Sequence, residues 1–247
     1  MVENETTPLL PDRADEPAWQ PVEPVEPAEP TVGSTLGELV ETVIFIVLVF
    51  FIVRGLVQNF RIEGESMMDN LHDKQYILVN KVVFFHFDAN APLRLMPGHH
   101  NDPKREVYPF RMPHRGDVVV LEAPVTSYDG QRDYIKRVIG LPGETIQVKG
   151  GNVYINGTQL DEPYLNKSTD CGGSGGINPG LCQPYAIPDD SVVVMGDNRV
   201  NSQDSRSWPA PPALPMDRIV GKAWVSYWPE SDWGVIPSPV YAHDNQH

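Results

Sequence analysis

A serine hydroxyl and a lysine amine can carry out acyl transfer when the amine is neutral, because a neutral amine can remove the hydroxyl proton. One lysine in this sequence stands where neutrality is expected. In Asp133-Tyr-Ile-Lys136-Arg-Val-Ile-Gly-Leu-Pro-Gly-Glu144, strand alternation puts Lys136 and Val138 on one face and Ile135, Arg137 and Ile139 on the other. Neither face alternates cleanly between apolar and polar, so one charge must lie amid apolar neighbours. Desolvation disfavours the charged ammonium and lowers its pKa. The candidate nucleophile is Ser66, in Glu63-Gly-Glu-Ser66-Met-Met-Asp-Asn-Leu71. A third segment, Gly196-Asp-Asn-Arg-Val-Asn-Ser202-Gln-Asp-Ser-Arg206, gathers charges and hydroxyls able to support such a pair.

Each segment alone has an ordinary explanation: an isolated serine, a solvent-facing lysine, a polar turn. A serine–histidine–aspartate hydrolase would need one of His72, His86, His99, His100 or His114 beside Ser66. No nucleophile-elbow motif surrounds Ser66, and most of these histidines fall in an irregular stretch, which argues for surface residues.

Taken together and in order, the three segments resemble the type I signal peptidase family, serine–lysine proteases that remove signal peptides from exported proteins. Ser66-Met-x-x-x-Leu71, the run from Tyr134 to Gly143 and the run from Gly196 to Arg206 carry the likeness. The stretches from Asp73 to Lys81 and from Arg115 to Val120 also fit, and the likeness runs from the anchor to about Trp228, roughly three-quarters of the chain. The resemblance implies Ser66 as nucleophile and Lys136 as base, with Ser202 orienting the lysine amine. It also implies a structural ion pair between Asp204 and Arg206, with Asp197 and Arg199 in the same turn. Met67, Tyr134, Ile62 and Gly64 are then expected to line the substrate site. No metal or organic cofactor is implied. The implied partners are signal-peptide-bearing precursors and a lipid bilayer, the implied state a monomer. The implied fold is a mainly β catalytic core with a smaller β lobe inserted after the Lys136 segment, preceded by one transmembrane helix.

The sequence departs from the family pattern near the nucleophile. Asp69-Asn70 stand where Pro-Thr is usual, and a carboxylate there would raise the Lys136 pKa if it lay close. Gly64 occupies a place where some members supply a serine hydroxyl to the oxyanion hole, leaving the backbone N–H of Ser66 as the evident donor. A catalytically impaired homologue, or a membrane-tethered binding module, is the alternative reading.

The elements that must position these residues are legible as well. From Phe60 onward, short apolar runs at 76–79, 117–121, 134–139, 145–148, 152–155, 191–195 and 222–228 are bounded by Gly, Pro, Asn and Asp. Lys149-Gly-Gly-Asn152 and Asn156-Gly157 are hairpin turn signals, so a mainly β domain is predicted over 60–236. Two long stretches interrupt it: an insertion at 84–115 and a glycine-rich loop at 166–184. That loop holds the only two cysteines, Cys171 and Cys182. A metal site would want two more ligands at nearby spacing, which the loop does not supply, so a disulfide on a non-cytoplasmic side is predicted.

Upstream, residues 37–59 are predicted to form a single membrane anchor around the uninterrupted apolar run 43–53 (VIFIVLVFFIV). The basic residues near it, Arg54, Arg61 and Lys74, all lie on its C-terminal side, which by the positive-inside rule would keep the following domain cytoplasmic. Long domains translocate largely regardless of such charges, so the disulfide outweighs them and places the domain on the extracytoplasmic side. Residues 1–36 carry eight acids against the single base Arg13, half of the net charge of −14. The Pro-x-Glu triplets from Pro21 to Pro30 predict an extended, disordered tail, and residues 237–247 are read as a C-terminal tail. The acidic balance excludes nucleic acid as a partner.

Overall fold

The computed structural model describes residues 32–96, 98–99, 101–122, 124, 133–173, 180–209, 211–239 and 241. Most of the acidic tail, residues 1–31, lies outside the described residues, as do 242–247 of the C-terminal tail.

Helix α1 (Val32–Leu56) contains a 20-residue span, Gly37–Leu56, long and apolar enough to cross a membrane and exposed along its length. It begins five residues inside the stretch read as tail, and it ends before Val57. The last three residues of the expected anchor, 57–59, belong instead to β1 (Val57–Arg61), an edge strand that pairs along one side with β2 (Tyr76–Asn80).

The rest of the chain is β structure, as the short apolar runs require. The remaining strands are β3 (Phe87–Asp88), β4 (Glu106–Val107), β5 (Val118–Glu122), β6 (Asp133–Gly140), β7 (Thr145–Lys149), β8 (Asn152–Ile155), β9 (Thr158–Gln159), β10 (Tyr185–Ala186), β11 (Ser191–Met195), β12 (Leu214–Pro215), β13 (Ile219–Trp228) and β14 (Gly234–Val235). The main sheet runs β1-β2-β13-β5-β6-β11-β12, with β14 added to β13. A second sheet, β10-β7-β8-β9, is built from the segment following β6, and forms the smaller lobe.

Strand alternation distributes the apolar runs among three cores. Val118 and Val120 face one core with Ile62, Met67, Leu71, Ile77 and Val79. Val119 and Leu121 face another, with Val138, Val192, Val194 and Leu214. Val193 and Met195, from the opposite side of β11, join Ile139, Ile146, Val148 and Val153 in the core of the smaller lobe. Runs such as Val118–Leu121 lack polar alternation because both faces of the strand are covered.

The β7–β8 hairpin turns through Gly150 and Gly151 at φ of 59° and 84°, the left-handed geometry that a two-residue turn of this hand demands and glycine allows. The insertion at 84–115 forms the short β3–β4 hairpin and a 3₁₀ turn, Leu93–Leu95.

Candidate active site

Lys136 lies in β6 opposite Val119 of β5. It is 3% exposed. Its Nζ is 2.8 Å from Ser66 Oγ and 2.8 Å from the carbonyl oxygen of Ile135. Burial is the main cause that pulls the amine down to about 8; Asp204 and Asp197 raise it, and Arg206 lowers it. A neutral amine satisfies this geometry fully: its lone pair accepts the Ser66 proton, one N–H donates to Ile135, and one N–H is left over.

Ser66 follows the turn at Gly64, outside regular secondary structure, and depends on neighbours for its placement. Asn198 provides two of them: its backbone N–H donates to the Ser66 carbonyl at 3.0 Å, and its side-chain amide donates to the Glu65 carbonyl at 3.1 Å. Gly196 permits this approach, since a Cβ there would collide with the Ser66 carbonyl oxygen and with the Ser202 side chain. Asn70 adds a third tie by donating to Asp197 Oδ2 at 2.9 Å. Asp197 is held by both Nε and Nη2 of Arg137, the residue after Lys136, at 2.8 and 2.7 Å. A chain of hydrogen bonds, buried at its Asp197–Arg137 end, therefore runs from the Ser66 segment to the Lys136 strand.

Asp204 and Arg206 form a bidentate pair with both side chains fully buried. Burial alone would raise the Asp204 pKa; the Arg206 guanidinium and the Gly196 N–H hold it below the usual carboxylate range. Arg199 shares the turn with Asp197 but reaches away to Glu162 and Thr169, joining the turn to the segment after β9. Cys171 and Cys182 are joined by a disulfide.

Ser202 differs from its expected part. It is 2% exposed, and its hydroxyl lies near the Asp204 carboxylate without hydrogen-bond geometry to any partner. The Lys136 amine bonds to Ser66 and Ile135 instead. Met67 is a second correction: it is 1% exposed and packs into the core with Leu71 and Ile77 beneath the nucleophile, so it does not face substrate. Ile62, Gly64 and Tyr134 do line the cleft, a cavity of about 660 Å³ that also takes in Ser66, Lys136 and Ile135. Asn201 and Gln203 line it too. Both lie in the third segment, among its charged and hydroxyl residues, and as neutral amides they carry no signal of their own in the sequence.

The family profile described as "Signal peptidase, peptidase S26" matches residues 36–228. The chain belongs to that family. This signal peptidase family member is a serine endopeptidase, and its relatives agree. It is 34% identical over 215 residues to "Signal peptidase I" of Leptolyngbya laminosa, covering 84% of this chain and 88% of that protein. It is 32% identical over 188 residues to "Signal peptidase I T" of Bacillus subtilis, covering 76% and 82%. A solved signal peptidase I of Enterococcus faecalis is 28% identical, covering 45% of this chain and 97% of that one, at a TM-score of 0.36, too low to bear on the fold.

The departures near the nucleophile of this peptidase have structural explanations. Asp69 sits at φ +85°, where proline, locked near −65°, cannot go. Its carboxylate accepts from the Asn166 amide at 3.1 Å, and the carboxylates that raise the Lys136 pKa are Asp204 and Asp197. The condition under which Asp69 would act on Lys136 is not met, and its carboxylate ties instead to the 166–184 loop. Gly64, at φ +95°, spends its own N–H on Asp73 Oδ1 at 2.9 Å.

Proposed function

We propose that this peptidase cleaves signal peptides from exported precursors with Ser66 as nucleophile and Lys136 as general base, while tethered to a membrane by α1. The observation that carries the reading is the 2.8 Å approach of a buried lysine amine to a serine hydroxyl in the wall of an open cleft. Lys136 takes the Ser66 Oγ proton as Oγ bonds to the scissile carbonyl carbon. The resulting ammonium gives that proton to the leaving nitrogen as the C–N bond breaks, leaving an acyl ester on Ser66. Lys136 then takes a proton from water, the hydroxide attacks the ester, and the proton returns to Ser66 Oγ. The backbone N–H of Ser66 is the oxyanion donor closest to the nucleophile. Asn70, Asn198, Asp197 and Arg137 hold the two reacting atoms in register, and Asp204 with Arg206 supports the turn beneath them.

The cleft is bordered by Phe60–Glu65 on one side and Asp133–Lys136 on the other, which suits an extended peptide laid along strand backbone with alternate side chains in shallow pockets. Small residues at those pockets match the small-x-small cleavage sites of secretory precursors. The span Gly37–Leu56 supports a single-pass tether. The disulfide between Cys171 and Cys182 supports an extracytoplasmic catalytic domain.

The test is hydrolysis of a precursor peptide by the purified full chain. Ser66→Ala and Lys136→Ala should each abolish turnover, while replacement of each histidine leaves it intact. Full activity in Lys136→Ala overturns the reading.

A further inference from the structure

The insertion at 84–115 takes no part in the chemistry, yet it is unusually apolar on its outside. Among the described residues beyond α1, seven of the fourteen exposed large apolar side chains lie within it: Phe85, Phe87, Leu93, Leu95, Met96, Phe110 and Met112. Three of them are grouped. Phe85 and Phe87 meet as tilted rings with centroids 6.3 Å apart, and Phe85 and Phe110 wall the same groove, of about 480 Å³. The floor of the main sheet does not fill this groove; Ile219 and Val220 only line one side of it. An exposed apolar groove of this kind on a folded domain marks a place that water does not normally cover.

The identity of what covers it follows from the other wall, Gly55 and Leu56. These are the last two residues of the span Gly37–Leu56. Wherever that span crosses a bilayer, its final turn lies at the bilayer surface, and so does any groove built on that turn. Arg54, in the same turn, and Lys81, on the groove wall, place cations at the depth of anionic headgroups, with aliphatic stems able to lie along acyl chains. Exposed phenylalanines flanked by basic residues are the composition of interfacial membrane contacts. The groove shares no lining residue with the catalytic cleft, so it is not an extension of the peptide site.

We propose that the 84–115 insertion is a second membrane contact, seating Phe85, Phe87 and Phe110 in the lipid interface beside the end of α1. This rests on the tether reading above. Its effect would be to limit the swing of the catalytic domain about the residues joining it to the helix.

The experiment uses the full chain with single cysteines introduced as Phe85→Cys, Phe110→Cys and, for comparison, Lys149→Cys at the exposed β7–β8 turn. The two native cysteines are bonded to each other and do not compete for label. Each variant is labelled with an environment-sensitive fluorophore and reconstituted into phosphatidylcholine–phosphatidylglycerol vesicles with and without spin-labelled lipid. Labels at 85 and 110 are expected to emit to the blue of the label at 149 and to be quenched by the lipid spin label, with 149 unaffected. If the protein floats with the vesicles but 85 and 110 behave like 149, the insertion is not a membrane contact while the tether stands. If the protein does not float at all, the tether reading fails and this inference with it. Blue shift and quenching that arise only after a precursor peptide is added would assign the groove to the peptide's apolar segment and overturn the proposal.

Discussion

The side-chain amide of Asn70 donates to Asp197 Oδ2 at 2.9 Å, and through Arg137 that bond links the segment bearing Ser66 to the strand bearing Lys136. Hydrogen bonds to a buried charge contribute about 1.5–3 kcal/mol, and small misplacements of reacting groups can cost ~10²-fold in rate. Asn70→Leu keeps Asp197 paired with Arg137 and removes only the link. It should lower kcat by roughly 10- to 100-fold with KM little changed. Steady-state kinetics on a precursor peptide check this; an unchanged kcat would show that the link does not position the nucleophile.

The pH profile should report Lys136. Burial brings its amine down to about 8, so the neutral base is scarce below that pH and dominant above it. The rate is therefore expected to rise tenfold per pH unit up to about 8 and then level, leaving activity at pH 6 about a hundredfold under the plateau. Asp197→Asn removes a carboxylate that raises the amine pKa, so the midpoint should move to lower pH. A profile flat from pH 6 to 8 would contradict a lysine base.

The same burial penalises the fold. A lysine held below its ordinary value binds fewer protons folded than unfolded in the window from about 8 to 10.5. Stability therefore rises with pH across that window, and the penalty is fully present below it. Lys136→Met should be inactive yet more stable at pH 7 by up to ~3 kcal/mol, less what the lost hydrogen bonds contributed. The gain should fade above the window, as chemical denaturation at pH 7 and pH 10.5 would reveal.

Asp69→Pro restores the usual family residue but demands a φ that this turn does not have. It is expected to lower both Tm and turnover, whereas Asp69→Gly, which tolerates positive φ, should retain both more fully. A fully active proline variant would mean that the turn adopts another conformation.

Removing the disulfide opens a loop whose ends are 11 residues apart. Cys171→Ser with Cys182→Ser should destabilise the domain by about 3 kcal/mol on the chain-entropy estimate. Because Asn166 and Thr169 in the same loop hold Asp69 and Arg199, turnover at elevated temperature should fall before the fold is lost. Thermal inactivation rates measured beside Tm separate the two effects.

Membership of the β class, the hairpin turns and the apolar span were all legible in the sequence, because each depends on local pattern: short apolar runs bounded by turn residues, glycines at turn positions, and an apolar length with few charges. Lys136 is legible for the same reason, since it interrupts a strand that has no polar face to receive it, whereas Ser66 follows only from the resemblance of the ordered segments to the signal peptidase family. What local pattern does not carry is pairing across distance. Ser202 has the right chemistry, but its hydroxyl makes no hydrogen bond to the amine. Met67 neighbours the nucleophile in sequence yet points into the core, because consecutive side chains leave a turn in different directions. Asp69 is three residues from Ser66 in sequence, yet its carboxylate is bound to Asn166 across 97 residues of chain. The sequence by itself determined which side chains can do chemistry and which segments are strands. Only the tertiary structure decided which carboxylates act on the lysine, because electrostatic and hydrogen-bond energies depend on separations of a few ångströms that chain order does not encode.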